Sequence, residues 1–435
     1  MGAFKADLRW MYRIMAGAVT ALTVFAVSSH PVIAAEYDLN SRTYLYLYER
    51  DQAVGDTLQY APLYEYLSLD VWEVGNPDLS FHFYGWGRLD LGEETRGSNT
   101  NGSLSSAYLQ YLHPKGNSQV KLGRFFLTEG TTAEVVDGLF VKGVTRSGFG
   151  AALYGGAPVE NSITTSSGGD SLFGGRVFYV FPGVTEIGLG YYFEDGDFQG
   201  ENREEVGGDL WLRFAKSLDL TGKAVYNVVT EDIASHRLAL RLVPVKSIDL
   251  QVGTEGYKYK DLFQKVLNPA FLPPTINPDD EVQNLFADID WQASKILIVQ
   301  AGVKSISHLE TDPGDALRGE VGFRFNLKGT INLLGLSAAV QTADQKRNEY
   351  QEFRGWLMGS VNRWKFSLDG LTWFYEEPIS GEDTTVQVVG SAGYQFSRTF
   401  GVSGDLRYTQ SPQFKEDVSL LLRADLKFGS SGRGE

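Results

Sequence analysis

The chain has 435 residues, a formal net charge of −15 and a mean hydropathy of −0.19. Such acidity argues against nucleic acid, which selects basic surfaces. The absence of cysteine excludes disulfides, covalently attached c-type haem, thiolate metal sites and a lipidated N-terminal cysteine, so the fold depends on hydrogen bonding and burial.

Residues 1–35 read as a cleaved signal peptide. Lys5, Arg9 and Arg13 precede an apolar run from Ile14 to Val27, and Val32-Ile33-Ala34-Ala35 offers small residues for cleavage before Ala35 or before Glu36. The run is short for a transmembrane anchor and ends in Ser-Ser-His-Pro. Its removal takes away Lys5, Arg9, Arg13 and Asp7, a net +2, and leaves a mature chain of about −17. Beyond it no apolar run approaches about 18 residues, which excludes helical membrane spans.

Forty-nine glycines, 22 tyrosines and 26 phenylalanines point to many strands and turns. From Arg42 to Phe428 one pattern recurs: a stretch of alternating character, then a break. In SHRLALRL, Leu238, Leu240 and Leu242 stand against Arg237 and Arg241. In LRGEVGFRFNL, Leu317, Gly319, Val321, Phe323, Phe325 and Leu327 oppose Arg318, Glu320, Arg324 and Asn326. Further on, Trp364, Phe366, Leu368 and Phe374 oppose Lys365, Ser367, Asp369 and Tyr375, and Phe400, Val402, Leu406 and Tyr408 oppose Ser403, Asp405 and Arg407. The stretch EDVSLLLRADLKF sets Val418, Leu420, Leu422, Ala424, Leu426 and Phe428 against Ser419, Leu421, Arg423, Asp425 and Lys427. Successive side chains of a strand point to opposite faces, so each of these strands has one lipid-like face and one ionic face.

The breaks alternate in length. Short ones fall at Gly75-Asn76-Pro77, 113–118, 146–148, Pro182-Gly183, Lys216-Ser217, 244–247, 293–295, 328–330, Asn362-Arg363 and 397–399. Between them lie generally longer, more acidic segments at 51–59, 92–103, 126–138, 157–170, 194–203, 229–231, 260–280, 309–315, 342–348, 376–383 and 409–415. A soluble sandwich has no reason to segregate turn length by parity. A transmembrane antiparallel β-barrel does, with short periplasmic turns and longer external loops. The expectation is an all-β barrel of about 22 strands (20–22) over 36–428, with no plug domain and a short periplasmic tail at 429–435. Tyr44, Tyr46, Tyr48, Trp72, Trp86, Trp211, Trp291, Trp356, Trp364 and Trp373 lie mainly toward strand ends, where amphipathic rings prefer the headgroup level. Trp211 falls on the expected inner face.

The segment KLGRFFLTEGTTAEVVDGLFVKG (121–143), followed by LYGGAPVE (153–160), resembles a pattern of porin-like outer-membrane barrels of Gram-negative bacteria. Leu122-Gly123-Arg124 and Val136-Asp137-Gly138-Leu139 carry the likeness, extended by Gly155-Gly156 and Pro158. The resemblance implies that 126–138 folds inward and narrows the pore, with Glu129, Glu134 and Asp137 near the constriction; an ordinary exposed loop is the alternative. The last strand resembles the C-terminal insertion signal of outer-membrane proteins, with Phe428 as its closing aromatic, which implies the barrel-assembly machinery as a partner.

On the ionic face lie Arg88, Arg176, Arg213, Arg237, Arg241, Arg318, Arg324, Arg407 and Arg423, with Asp90, Asp209, Glu320, Asp369, Asp405 and Asp425 on the same side. Charged rings in a lumen set ion selectivity; pairing across strands is the favoured reading. Catalysis has little support: His82, His113, His236 and His308 are scattered without ligand spacing, no Ser with a supported His emerges, and no catalytic residue, metal site or cofactor is expected. The acidic loops suit contact with outer-membrane lipid and, through cations, lipopolysaccharide phosphates. A wide barrel without a plug is expected to act as a porin-like channel for ions or small hydrophilic solutes. The runner-up is a sheath housing a multihaem cytochrome in the lumen, and a third reading is an adhesion or scaffold surface, for which mostly short loops are poorly suited.

Overall fold

Where every second residue is Leu, Val, Ile or Phe, a strand offers one face to hydrocarbon and one to water, and in hydrocarbon only a closed sheet leaves no backbone edge unpaired. The computed structural model describes residues 36–50, 58–95, 97–159, 171–195, 202–262, 280–309, 314–412 and 416–430. The expected signal peptide, residues 431–435 of the tail and parts of several expected loops lie outside the described residues.

In chain order the strands are β1 Glu36–Arg50, β2 in two pieces (Leu58–Tyr60 and Pro62–Trp72), β3 Leu79–Asp90, β4 Thr100–Leu112, β5 Ser118–Glu129, β6 Thr132–Val144, β7 Phe149–Pro158 and β8 Leu172–Phe181. There follow β9 Thr185–Glu194, β10 Arg203–Ala215, β11 Leu218–Asn227, β12 Asp232–Val245, β13 Ile248–Lys258, β14 Glu281–Gln292 and β15 Leu297–His308. The last seven are β16 Ala316–Asn326, β17 Ile331–Ala343, β18 Tyr350–Val361, β19 Trp364–Ile379, β20 Glu382–Gln395, β21 Phe400–Gln410 and β22 Asp417–Gly429. Each pairs antiparallel with its sequence neighbour, and β22 returns to β1 from Asp38↔Gly429 to Tyr48↔Ser419. The result is a closed 22-strand barrel. At the interruption of β2, Pro62 has no N–H to give, and the ladder is carried across by Leu91 N donating to Ala61 O and Glu93 N to Gln59 O, both 3.0 Å.

The alternation sorts as the sequence requires. Leu153, Val177, Leu189, Leu285, Leu336, Leu406 and Val418 share the outward parity and are exposed. At the short-turn end Tyr37, Phe149, Phe181, Phe214, Trp291, Trp364 and Phe428 also face out, forming an aromatic girdle. Trp291 and Trp364 thus lie where expected, and Trp211 points inward. Tyr44, Tyr46, Tyr48, Trp72, Trp86, Trp356 and Trp373 do not join the girdle: their partners in register place them on the inward face, because Leu45 and Leu47 hold the outward positions of β1.

Connections of two to six residues occupy the short-turn end. At the loop end, two expected loops are mostly strand. Residues 126–138 continue β5 and β6 around the turn Gly130-Thr131, with Glu129 paired to Thr132 and Gly130 at φ 61°. Residues 376–383 continue β19 and β20 around Ser380-Gly381, at φ 53° and 88°, the two left-handed residues that a type I′ turn needs.

The facing makes a direct prediction. Leu368 points to lipid near the middle of β19 and is 46% exposed, whereas Ser367 points inward. Leu368→Lys is expected to destabilise the vesicle-inserted barrel by about 2–4 kcal/mol and Ser367→Lys by less than about 1, read from urea unfolding; equal effects would contradict the assignment.

Candidate functional site

The β5–β6 hairpin leaves the wall. Pairing between β4 and β5 spans only Ala107↔Arg124 to Leu112↔Gln119, and pairing between β6 and β7 begins at Val136↔Pro158. Between those limits the hairpin's ladder partners are its own two strands. The bend is at Gly123, whose φ is +122° and where a Cβ would come 2.3 Å from Ala107 O. A side chain at this position would obstruct both the left-handed backbone and the close approach of β4.

The tip lands inside the barrel. A Cβ on Gly207 of β10 would sit 2.0 Å from Thr131 Oγ1, and one on Gly130 would meet Arg176 Cδ of β8 at 2.8 Å and Asp209 Oδ2 of β10 at 2.9 Å. Gly207 and Asp209 share the inward parity of β10, opposite the exposed Val206. The floor beneath the hairpin is therefore built from absent side chains: Arg176 crosses the wall over Gly188, and Tyr154 lies over Gly174.

Charge and packing fix the tip. Arg176 Nη1 donates to Glu129 Oε1 at 3.0 Å, Nη2 to Glu186 Oε1 at 2.9 Å, and Nε to Asp209 Oδ2 at 2.9 Å. Lys142 Nζ reaches the other oxygen of Glu129 at 2.9 Å. The side chains of Arg176 and Glu129 are each 3% exposed, so the guanidinium's fork is satisfied out of water by three carboxylates. Arg203 of β10 binds Glu134 at 2.7 Å and Glu205 at 2.6 Å. Thr132 Oγ1 and Tyr154 Oη are 2.8 Å apart, and Tyr154 Oη donates to Tyr191 O at 3.2 Å. Between hairpin and wall lies an apolar core of Phe125, Leu127, Val136, Phe140, Ala152, Tyr154, Leu172 and Tyr192.

The three acids singled out from the sequence thus separate in role. Glu129 and Glu134 are on the buried underside and anchor the hairpin to the wall. Asp137 is at its base on the other face, held by Arg124 Nε at 2.7 Å and Nη2 at 2.6 Å. Arg176 gathers the cluster, which Lys142, Glu186 and the glycine floor complete. Sequence reading missed these last three, although the doublets Gly174-Gly175 and Gly207-Gly208 were a visible signal of close approach.

Elsewhere most of the inward arginines singled out from the sequence are paired. Arg88 meets Asp90 at 3.3 Å, Arg213 meets Asp219 at 2.7 Å, Arg237 meets Glu255 at 3.3 Å, and Arg241 binds Asp249 through Nε at 2.9 Å. Arg318 lies 3.3 Å from both Glu320 and Glu352, Asp369 takes Arg354 at 2.9 Å, Asp405 takes Arg423 at 3.3 Å and Asp425 takes Arg42 at 3.4 Å. Arg407 reaches Asp417 at 3.6 Å and also binds Tyr46. The Nε atoms of Arg88, Arg324 and Arg423 are buried without a hydrogen-bond partner, and of the three Arg324 alone has no ion pair among the described residues.

No protein-family model and no curated protein matches the sequence. Among solved structures, the siderophore receptor PirA from Pseudomonas aeruginosa aligns with a TM-score of 0.56 at 11% identity, over 90% of this chain and 80% of that one. A mutant of the ferric enterobactin receptor PfeA from the same organism gives 0.56 at 9% identity, over 90% and 80%. The E. coli P pilus tip assembly intermediate PapC-PapD-PapK-PapG gives 0.51 at 10%, over 92% of this chain and 62% of that one. At such identities the likeness establishes the fold alone, a closed β-barrel of the kind found in outer-membrane proteins.

Breaking one side of the buried cluster tests the anchor. Arg176→Met strands Glu129, Glu186 and Asp209 and is expected to cost about 3–5 kcal/mol, measured as the urea midpoint in lipid vesicles; a loss below about 1 kcal/mol would show that the cluster does not hold the tip.

Proposed function

We propose that this barrel is a passive channel of the Gram-negative outer membrane for ions or small hydrophilic solutes, reached by export through a cleaved signal peptide and narrowed by the β5–β6 hairpin. The observation that carries the reading is the tip docked on the inner faces of β8 and β10. Twenty-two strands about 4.8 Å apart and tilted about 40° enclose a backbone diameter of roughly 44 Å. A hairpin lying on the wall adds a layer about 10 Å thick, which reduces the bore and leaves a water path. Most of the arginines lining that path are paired with carboxylates, which lowers their share in selectivity relative to bore and local hydrogen bonding. In the alternative reading, a sheath for a multihaem cytochrome, the partner would have to share the lumen with the hairpin, which occupies part of the cross-section. No reacting group is required, so the reading is of a channel and not an enzyme.

Single-channel recording in planar bilayers tests this. The refolded barrel is expected to show steady ohmic conductance, and a variant with 126–135 replaced by a short Gly-Ser link is expected to conduct severalfold more. Silence from both verified barrels, or equal conductance, would overturn the channel or the hairpin's part in it, respectively.

A further inference from the structure

Away from the hairpin, the inner faces of β1–β3 and β20–β22 form an open recess of about 970 Å³. Its wall is aromatic to a degree that the rest of the ionic lumen is not. Tyr66 stands at its centre, with ring centroids 5.4 Å from Tyr44, 6.4 Å from Tyr64, 6.4 Å from Tyr84 and 6.4 Å from Trp86. Along β1 toward the loop end the rings continue through Tyr46 and Tyr48, 4.7 Å apart, to Tyr60, stacked on Tyr48 at 5.0 Å. The lane therefore runs along the pore axis, from mid-barrel to the outer rim.

Structural packing alone does not require this arrangement. Tyr84 is 40% exposed, and ring faces turned to lumen water forgo the burial that normally justifies an aromatic side chain. The arginines beside the lane are already answered: Arg42 by Asp425, Arg423 by Asp405 and Arg407 by Asp417, while Asp38 and Lys427, at its short-turn end, bring charges of opposite sign. Two of those guanidinium groups also cover rings, Arg423 over Tyr44 at 5.3 Å and Arg407 over Tyr46 at 5.8 Å. What remains open is a set of flat apolar faces, centred on Tyr66 and Tyr84, edged by Ser68 and Gln387 and carrying little net charge. A ligand suited to it has a flat C–H face, a rim of hydroxyl groups and no charge.

We propose that this lane is a binding track for neutral sugar rings, which stack on the tyrosines and exchange hydroxyl contacts with the polar edge as they move along the pore. The track deepens the channel reading by naming its solute class, yet binding itself does not depend on conduction.

Two measurements on the intact barrel separate the claims. Titration with maltotetraose, followed by intrinsic tryptophan fluorescence in detergent, is expected to saturate, and Tyr66→Ala or Tyr84→Ala to weaken the affinity about tenfold or more, with the folded barrel verified by circular dichroism. In planar bilayers the same sugar is expected to cause transient blocks that polyethylene glycol of equal size does not, with residence times shortened in the variants. Saturation without any conductance would retain the track and remove the channel. Conductance without saturable binding, binding unchanged in both variants, or preferential binding of benzoate over maltotetraose would overturn the track.

Discussion

Everything in this molecule depends on the closure of one hydrogen-bonded ladder. Backbone groups in hydrocarbon have no water to turn to, and each unsatisfied one costs several kcal/mol. The eleven register pairs between β1 and β22, from Asp38↔Gly429 to Tyr48↔Ser419, remove the two edges that an open sheet would present. Closure also fixes the sorting of side chains, since a slip of one residue would turn Arg423 and Asp425 toward lipid and Leu422 and Leu426 toward water.

Against that constraint, the β5–β6 hairpin is the conspicuous departure. Its strands give up their wall neighbours beyond Arg124 and before Val136, and the loss is offset locally. Arg124 Nη1 donates to the Leu104 carbonyl at 2.9 Å, so that β4 is not left bare beside the bend. Phe125, Leu127 and Val136 are at most 2% exposed, and fully burying such side chains contributes about 1.5–3 kcal/mol each. The buried guanidinium of Arg176 adds direction: three carboxylates, one on the hairpin and two on the wall, share one fork and specify where the tip rests. Apolar burial supplies the affinity of hairpin for wall, and the ion cluster supplies its register.

Much of this was legible in the chain. Alternation in stretches such as Leu317–Leu327 and Val418–Phe428, with turn length segregated by parity, was sufficient for the barrel and for its strand number, because both follow from local periodicity. Cross-strand pairing of Arg241 with Asp249 or Arg423 with Asp405 could be expected from same-face charges of opposite sign. The expected loops at 126–138 and 376–383 are mostly strand for a physical reason: a hairpin that leaves the wall or extends beyond it keeps the same two-residue period, and only Gly130 and Ser380-Gly381 mark its turn. The tyrosines of β1, expected at the headgroup level, face the lumen because Leu45 and Leu47 between them claim the lipid face. Contacts between β8, β10 and a tip some 45–80 residues earlier in the chain leave no local pattern except glycine where bulk would be expected.

The central claim is that the hairpin tip is docked on the inner wall of a channel, and a cross-link tests it most directly. The chain has no cysteine of its own, so in a Glu134→Cys/Arg203→Cys variant a short bifunctional thiol reagent can join only one pair of residues within the chain. Arg203 Nη1 on the wall lies 2.7 Å from Glu134 Oε1 on the hairpin, and the account predicts near-complete cross-linking of the membrane-inserted barrel by a linker that spans the length of that ion pair, with conductance unchanged by it. Failure to cross-link, or a steep fall in conductance when the link forms, would mean that the hairpin stands elsewhere in the working protein.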